Sequence, residues 1–286
     1  MIPRRNLSLI SNELLKEGGV RIPERTIELD YALAWFLVEM ANDPYRDNLA
    51  FKGGTALRRC HLGEYRFSED LDFTLLNDDA FEPVQAAFSR IAEAASVRSG
   101  LAMSFSRPDK KPHANSHTFY MSFTGPLGAE REFKVDVTRS ECIVEPLVEL
   151  PVLRTYDLFD LPQTKTLKVY SIPEIVAEKL VALTDKARTE PRDLFDLWHL
   201  VSEAKVDLSE TADAIAQKLR FRGRGTEGLA DIISNKERRL GTTWETRLRP
   251  QMARLPPFDR VMREIGRELR QAELWDKVVD SHRRLG

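Results

Sequence analysis

Apolar and polar residues recur with two different periods along the first part of the chain. Helical spacing predicts helices over residues 23–40 and 81–98. Short strand-like segments predict strands over residues 49–52, 71–76, 101–107 and 117–123, and strict alternation predicts a strand over residues 132–138. A short helix over residues 55–62 is expected directly after the first strand. The pattern therefore predicts an α+β fold that combines a mixed sheet with helices.

The pattern changes near the middle of the chain. From about residue 173 onward the apolar residues keep helical spacing, with almost no strand-like alternation. We place the change near residues 165–172. The prediction is two domains, an α/β domain over residues 1–170 that includes an N-terminal helix and a mostly helical domain over residues 171–286.

Composition narrows the class of protein. Hydrophobic residues make up 42% of the 286 residues and charged residues 31%, which excludes a disordered or fibrous chain. The net charge of -2 excludes a uniformly basic coat protein, although residues 219–286 hold 16 Lys or Arg against 10 Asp or Glu. Two cysteines do not make a disulfide framework or a zinc site. With no apolar run that could span a membrane, we expect a cytoplasmic protein.

A glycine pair follows the first predicted strand. Gly53 and Gly54 lead into a helix that is predicted to begin at Thr55. Glycine lets an anion approach the backbone closely, and the start of a helix adds partial positive charge. The segment therefore suits a phosphate group, although a lone glycine pair is more often an ordinary turn.

Two carboxylates lie on the next strand. Asp70 and Asp72 are two residues apart, so their side chains point to one face while Leu71 faces the core. Neighbouring carboxylates repel unless a cation lies between them, and such oxygen ligands suit Mg²⁺, with Mn²⁺ as an alternative. If the strand of Asp136 lies beside them, three carboxylates can hold two metal ions. Taken singly, an Asp-x-Asp pair is more often a surface pair, and a lone Asp136 is more often a solvated strand residue.

A second group of charges lies in the predicted helical domain. Lys179 falls within the apolar stripe of its helix, three residues from Val176. Its ammonium either extends to water or meets an anion such as a nucleotide phosphate. Asp193, in the first turn after Pro191, complements the helix dipole or orients Lys179 or an arginine.

These segments together resemble a known family. Residues 52–57 (KGGTAL) and 66–73 (RFSEDLDF) resemble the first motif of the AbiEii/AbiGii nucleotidyltransferase toxins, which include the MenT toxins. Residues 178–180 (EKL) and 192–197 (RDLFDL) resemble its later motifs. The resemblance runs from about residue 49 to residue 200. It implies a DNA polymerase β-like nucleotidyltransferase core, followed by a helical domain that completes the nucleotide site and contacts RNA.

The resemblance also implies an activity. The expected enzyme is a toxin that uses Mg²⁺ to move a nucleoside monophosphate from an NTP to RNA, with the tRNA 3′ end as the expected acceptor, and releases pyrophosphate. A cognate antitoxin is the expected protein partner. By the same resemblance, the metal would be held by Asp70 and Asp72, to which the strand alternation adds Asp136; the nucleotide would be held by Gly53, Gly54, Thr55, Arg66, Ser68 and Lys179; and Asp193 would join Asp70, Asp72 and Lys179 as a catalytic residue.

Two other functions stay open on the residues alone. The same metal site would serve an enzyme that adds AMP or phosphate to a protein side chain. A decayed core that only binds RNA or a partner is the second, although the intact Asp70–Asp72 pair argues against decay. Ser68 is open too: its hydroxyl either bonds the turn or phosphate, or carries a phosphate that would repel the neighbouring acids.

Overall fold

The alternating segments of the first half form one mixed sheet. The computed structural model describes residues 1–111, 114–163 and 165–285, and within them the sheet has seven strands in the order β3-β4-β5-β2-β1-β7-β6. The strands are β1 Leu49–Lys52, β2 Asp70–Leu75, β3 Ala102–Pro108, β4 Ser116–Thr124, β5 Glu130–Thr138, β6 Val148–Pro151 and β7 Thr166–Val169. β2 runs parallel to β5 and β1 parallel to β7, while the other neighbours are antiparallel.

The helices divide between two compact units. Unit 1 comprises residues 1–141, 147–170 and 250–253, and unit 2 comprises residues 142–146, 171–249 and 254–286. The helices of unit 1 are α1 Arg4–Gly18, α2 Glu24–Asn42, α3 Gly53–Ala56 and α4 Phe81–Ser99. The helices of unit 2 are α5 Ile172–Leu183, α6 Pro191–Ser202, α7 Ala212–Phe221, α8 Leu229–Asn235, α9 Glu237–Leu248, α10 Phe258–Gln271 and α11 Leu274–Arg284.

The α+β class is confirmed, and the predicted strands and helices occur within about two residues of their expected ends. Three elements of unit 1 carried no usable signal. β6 and β7 have only four residues each, too short for alternation to show, and α1 buries only Leu7, Ile10 and Ser11. The helix expected over residues 55–62 begins earlier, at Gly53, and becomes π-helical from Leu57 to Leu62.

One face of the sheet forms the core of unit 1. α2 and α4 supply much of this core, and the ring of Phe88 on α4 lies 5.6 Å from that of Phe36 on α2. The same ring lies 5.7 Å from Phe73 on β2 and 5.1 Å from Phe119 on β4, both in edge-to-face geometry. Because these side chains take one face, the alternate residues of β2 and β5 are left on the other face.

A buried ion cluster fixes the π-helical segment to α2. The Asp30 carboxylate accepts from Arg58 at 2.9 Å and from Arg59 at 2.5 Å, and all three side chains are nearly inaccessible. Burial would raise the pKa of Asp30, but the two guanidinium groups lower it below its usual value. Since Arg58 and Arg59 follow Gly53 and Gly54 in one helical segment, the cluster anchors the far end of the glycine turn.

Unit 2 consists of helices and of the short segment 142–146, which precedes them in the chain. Lys218 of α7 pairs with Glu174 at 2.5 Å and Glu178 at 2.8 Å, both on α5. The same Glu174 accepts hydrogen bonds from the backbone N–H groups of Val144 and Glu145, which attach residues 142–146 to this unit. Throughout the described ranges, every helix is too short or too polar to cross a membrane.

Candidate active site

Charged side chains occupy the open face of the sheet in two neighbouring rows. Asp72 on β2 lies opposite Lys52 on β1 and Asp136 on β5, and Asp70 lies opposite Lys134. Cross-strand partners point to the same face, so all five side chains share it. From the sequence, Asp136 could join Asp70 and Asp72 only if β5 lay beside β2, and the two strands are neighbours.

The glycine pair lies against the first of these rows. Gly53 has φ +81°, which L side chains rarely adopt, and a Cβ built there would lie 2.4 Å from Asp72 Oδ2. A Cβ on Gly54 would lie 2.6 Å from Arg66 Nη2 and 3.1 Å from Ser68 Oγ. The turn thus brings an acidic strand, a guanidinium and a hydroxyl around a backbone that only glycine allows to approach so closely.

Thr55 connects the turn to the acidic strand. Its buried hydroxyl donates to the carbonyl oxygen of Asp70 at 2.5 Å. The hydroxyl is therefore engaged inside the fold, and the group that Thr55 can offer to a phosphate is its backbone N–H in the first helical turn.

Arg66 is buried and is held from a distant part of the chain. Its Nη1 donates to Gln251 Oε1 at 3.0 Å and to the carbonyl oxygen of Phe67 at 3.2 Å. The backbone N–H of Phe67 donates to the carbonyl oxygen of Gln251 at 2.7 Å. Residues 250–253 therefore belong to unit 1 and fix the segment that presents Arg66 and Ser68 to Gly54. Ser68 is itself only 7% exposed, so a hydroxyl role within the turn is simpler than modification.

The carboxylates have a cationic neighbour. Lys134 Nζ lies 3.3 Å from Asp136 Oδ2. Burial would lower the pKa of Lys134, but attraction to Asp136, Asp70 and Asp72 raises it above its usual value. Lys134 thus partly neutralises the acidic face, and Asp136 faces it directly.

The donor set on this face suits a hard cation. Mg²⁺ commonly takes one or two protein carboxylates and completes its coordination with water and substrate phosphate. Asp70 and Asp72 offer two such groups on one face. Over the described ranges, no three acidic, histidine or cysteine side chains converge as a metal site by themselves. Two carboxylates on one face match the number that Mg²⁺ commonly takes from a protein, and Asp136 is paired with Lys134.

The later motifs form a second ionic cluster inside unit 2. Lys179 Nζ lies 2.9 Å from Asp193 Oδ1 and 2.6 Å from Asp196 Oδ2, and the lysine side chain is 12% exposed, so it does not extend to water. Arg188 Nε lies 2.6 Å from Asp193 Oδ2. Burial would raise the pKa of Asp193, but Lys179 and Arg188 lower it below its usual value. Asp193 thus orients both cations.

Comparisons with known proteins identify the family. A family profile described as nucleotidyl transferase AbiEii toxin, type IV TA system, matches residues 35–279. The chain belongs to this family. It is similar in fold to MenT4, a nucleotidyltransferase toxin from Mycobacterium tuberculosis H37Rv, with a TM-score of 0.66 and 21% identity over 97% of this chain and 95% of that chain. A search of curated proteins found no match.

Membership of the AbiEii family makes the protein a nucleotidyltransferase and a toxin of a type IV toxin–antitoxin system. The family implies an NTP substrate and an antitoxin partner. The match is wider than the motifs, which end near residue 200. The family match therefore also covers the helices of unit 2 between residue 200 and residue 279, a segment in which the sequence alone identified no family motif.

Four further residues shape these clusters without having been predicted as site residues: Lys52, Lys134, Asp196 and Gln251. Lys134 alternates with Asp136 on one strand, so the sequence pattern already places it on the same face. Asp196 lies one helical turn after Asp193, and this spacing could have added it to the predicted site. Gln251 offered no signal, since 185 residues separate it from Arg66.

Proposed function

We propose that this AbiEii enzyme transfers a nucleoside monophosphate from an NTP to a hydroxyl group of RNA, with the tRNA 3′ end as the acceptor. The observation that carries the proposal is the apposition of Gly53 and Asp72, which brings a phosphate turn against a pair of acids that fits Mg²⁺. Phosphoryl transfer needs this combination because most of its catalysis is positioning and charge neutralisation.

The triphosphate is assigned to the glycine turn. The backbone N–H groups of Gly53, Gly54 and Thr55 begin a helical segment and have no partners within it. Arg66, next to Gly54, supplies positive charge for the β- and γ-phosphates as pyrophosphate leaves. Ser68 adds a hydroxyl beside the same turn.

The metal is assigned to Asp70 and Asp72. Bound there with substrate phosphate oxygens, Mg²⁺ or Mn²⁺ would neutralise charge on the transferred group and polarise it toward attack. Asp136 lies one strand further from the turn and is assigned to the acceptor side.

The bond changes then follow. The acceptor hydroxyl oxygen attacks the α-phosphorus, and the bond from that phosphorus to the oxygen bridging to the β-phosphate breaks. The electron pair leaves with pyrophosphate toward Gly53 and Gly54. The hydroxyl proton passes to Asp136 or to solvent. Attacking and leaving oxygens lie in line, so the acceptor must approach from the side of β5.

The roles of Lys179 and Asp193 stay predictions from the family resemblance. Within unit 2 their side chains already form an ion pair, with Asp196 as a further partner of the lysine. A structural role and a role in transfer are both compatible with that pairing, and variants of Lys179 separate them.

RNA is favoured as acceptor by charge on unit 2. Arg238, Arg239 and Arg247 on α9 and Arg263 and Arg270 on α10 are exposed. Such residues grip phosphates without reading bases, and their contribution falls as salt rises. A protein side chain as acceptor remains the alternative, and it would not require this surface.

A transfer assay tests the proposal. Each α-labelled NTP is incubated with the protein, Mg²⁺ or Mn²⁺, and either total tRNA or a protein extract. Asp72→Asn should abolish labelling, while Asp47→Asn, a matched change at an exposed acid, should leave it intact. Label on tRNA that Asp72→Asn removes would support the proposal. Label on protein alone, or labelling unaffected by Asp72→Asn, would overturn it.

A further inference from the structure

A row of side chains leads away from the acidic pair across the open face of the sheet. Asp70 on β2 lies opposite Lys134 on β5, Lys134 lies opposite Tyr120 on β4, and Tyr120 lies opposite Arg107 on β3. Cross-strand partners share a face, so the row is continuous. At about 4.8 Å per strand, Tyr120 lies about 10 Å from Asp70.

An irregularity in β3 places Arg107 in this row. Phe105 pairs with Met121, and Arg107 pairs with Tyr120, so Ser106 is an extra residue. Without the bulge, Arg107 would share the core face with Phe105, two residues before it. A β-bulge re-aims the side chains that follow it. Arg107 is thereby turned onto the face that carries the acids.

Arg107 and Tyr120 form a flat, fixed surface, which we call the Arg107–Tyr120 platform. The guanidinium carbon of Arg107 lies 3.8 Å from the centroid of the Tyr120 ring. Glu132 holds the guanidinium edge through Nε at 3.1 Å and Nη2 at 2.7 Å, and Ser106 donates to the same carboxylate at 2.5 Å. The Arg107 side chain is still 41% exposed.

The chemistry of the platform favours a base over a phosphate. Because Glu132 already uses the bidentate edge of Arg107, the charge is largely matched and the donors on that edge are occupied. The planar faces of guanidinium and aromatic groups are what single-stranded bases stack upon. The Arg107 guanidinium is already fixed by Glu132 and by stacking on Tyr120, so it loses little conformational entropy when a base binds.

The position of the platform indicates whether it binds the base of the NTP or a base of the RNA acceptor. The glycine turn lies on the β1 side of Asp72, and the platform lies on the opposite side, beyond β5. In-line displacement sends pyrophosphate toward the turn and admits the acceptor from the other side. We propose that the Arg107–Tyr120 platform stacks the terminal base of the RNA acceptor. This inference rests on the proposed transfer to RNA and adds an acceptor subsite to it.

Equilibrium binding tests stacking without requiring transfer. The probe is a short single-stranded oligoribonucleotide ending in 2-aminopurine, whose fluorescence is quenched on stacking. Arg107→Ala and Tyr120→Ala should each weaken binding about 10-fold and remove the quench, as expected for loss of one stacked base. Tyr120→Phe should retain both. Arg107→Lys keeps the charge but not the plane, so it should behave like Arg107→Ala.

Steady-state kinetics locate the base. In Arg107→Ala and Tyr120→Ala, the KM for acceptor tRNA should rise about 10-fold while the KM for NTP is unchanged. Arg90→Ala is the matched control, since Arg90 on α4 forms a similar bidentate pair with Asp43, the residue that follows α2. Wild-type binding and acceptor KM in both alanine variants would overturn the inference. So would a rise in the KM for NTP alone, which would assign the platform to the incoming nucleotide.

Failure of this inference and failure of the proposed function have different signatures. If the wild-type enzyme labels tRNA and Asp72→Asn does not, the function stands whatever the platform variants do. If the wild-type protein labels only protein, the function fails. A quench of the oligonucleotide that Arg107→Ala abolishes would then still support stacking at the platform, and an unchanged quench would overturn it.

Discussion

The hydroxyl of Thr55 donates a hydrogen bond to the carbonyl oxygen of Asp70 at 2.5 Å. This contact ties the first turn of the helical segment after the glycine pair to the first residue of β2. Residues that are assigned to phosphate and to metal are thus joined by one buried hydrogen bond. We therefore expect a shift of either part to displace the other.

Replacement of this hydroxyl should impair both folding and transfer. Thr55→Val keeps the shape but removes the donor, and an unmet buried carbonyl costs about 1–3 kcal/mol. We expect kcat to fall about 10-fold, since small misplacements of catalytic groups are costly. Thr55→Ser retains the donor and should stay near wild type. Denaturant titration and transfer kinetics measure the two effects, and a wild-type kcat in Thr55→Val would show that the contact does not position Asp70.

Alanine substitutions at Gly53 and Gly128 can separate the effect of backbone strain from that of a steric clash with Asp72. Gly53→Ala places a Cβ 2.4 Å from Asp72 Oδ2 at φ +81°. Gly128→Ala has nearly the same φ, +78°, with nothing within 4 Å. Both should lose about 1–2 kcal/mol of unfolding free energy from strain. Only Gly53→Ala should lose about 100-fold or more in transfer. Similar activity in the two variants would mean that Asp72 tolerates displacement.

Lys179 provides a test of structural against catalytic roles. Lys179→Ala leaves the buried carboxylates of Asp193 and Asp196 without their shared ammonium. Breaking a buried pair in this way typically costs about 3–5 kcal/mol of unfolding free energy. Lys277→Ala, at an exposed position of α11, should cost almost nothing. A stable Lys179→Ala protein with no transfer activity would assign the ammonium to the reaction instead.

His61 should make unit 1 sensitive to mild acid. Its Nε2 lies 2.9 Å from the carbonyl oxygen of Tyr170, so the neutral ring donates there. Burial lowers the pKa of His61 below 6.5, despite the hydrogen bond to Tyr170. Below pH 6.5, His61 is therefore protonated in the unfolded chain before it is protonated in the folded chain. The unfolding free energy falls as the pH drops through this range.

The measurement is the unfolding free energy between pH 5 and pH 8 for wild type and His61→Asn. The variant should show a shallower fall on acidification. Part of the slope should persist, because burial also lowers the pKa of His199 in unit 2. An identical pH dependence in the two proteins would indicate that His61 titrates with an ordinary pKa in the folded chain.

The open face of the sheet shows where sequence reasoning succeeds. Asp70 and Asp72 had to share a face because strand side chains alternate, and the same rule assigned Asp136 and Lys134 to one face of β5. Which strands become neighbours is decided elsewhere. The parallel pairing that sets Asp72 opposite Asp136 depends on how the apolar faces of β2 and β5 pack against the helices.

The sequence by itself determined the α+β pattern, the glycine turn and the pair of acids that identify the family. These features are local, because they depend on backbone periodicity and on residues close together in the chain. Only the tertiary structure decided that Gln251 holds Arg66, that Thr55 binds Asp70, and that a bulge turns Arg107 toward Tyr120. Such contacts arise from chain packing and strand register, which join residues whose separation in sequence carries no signal.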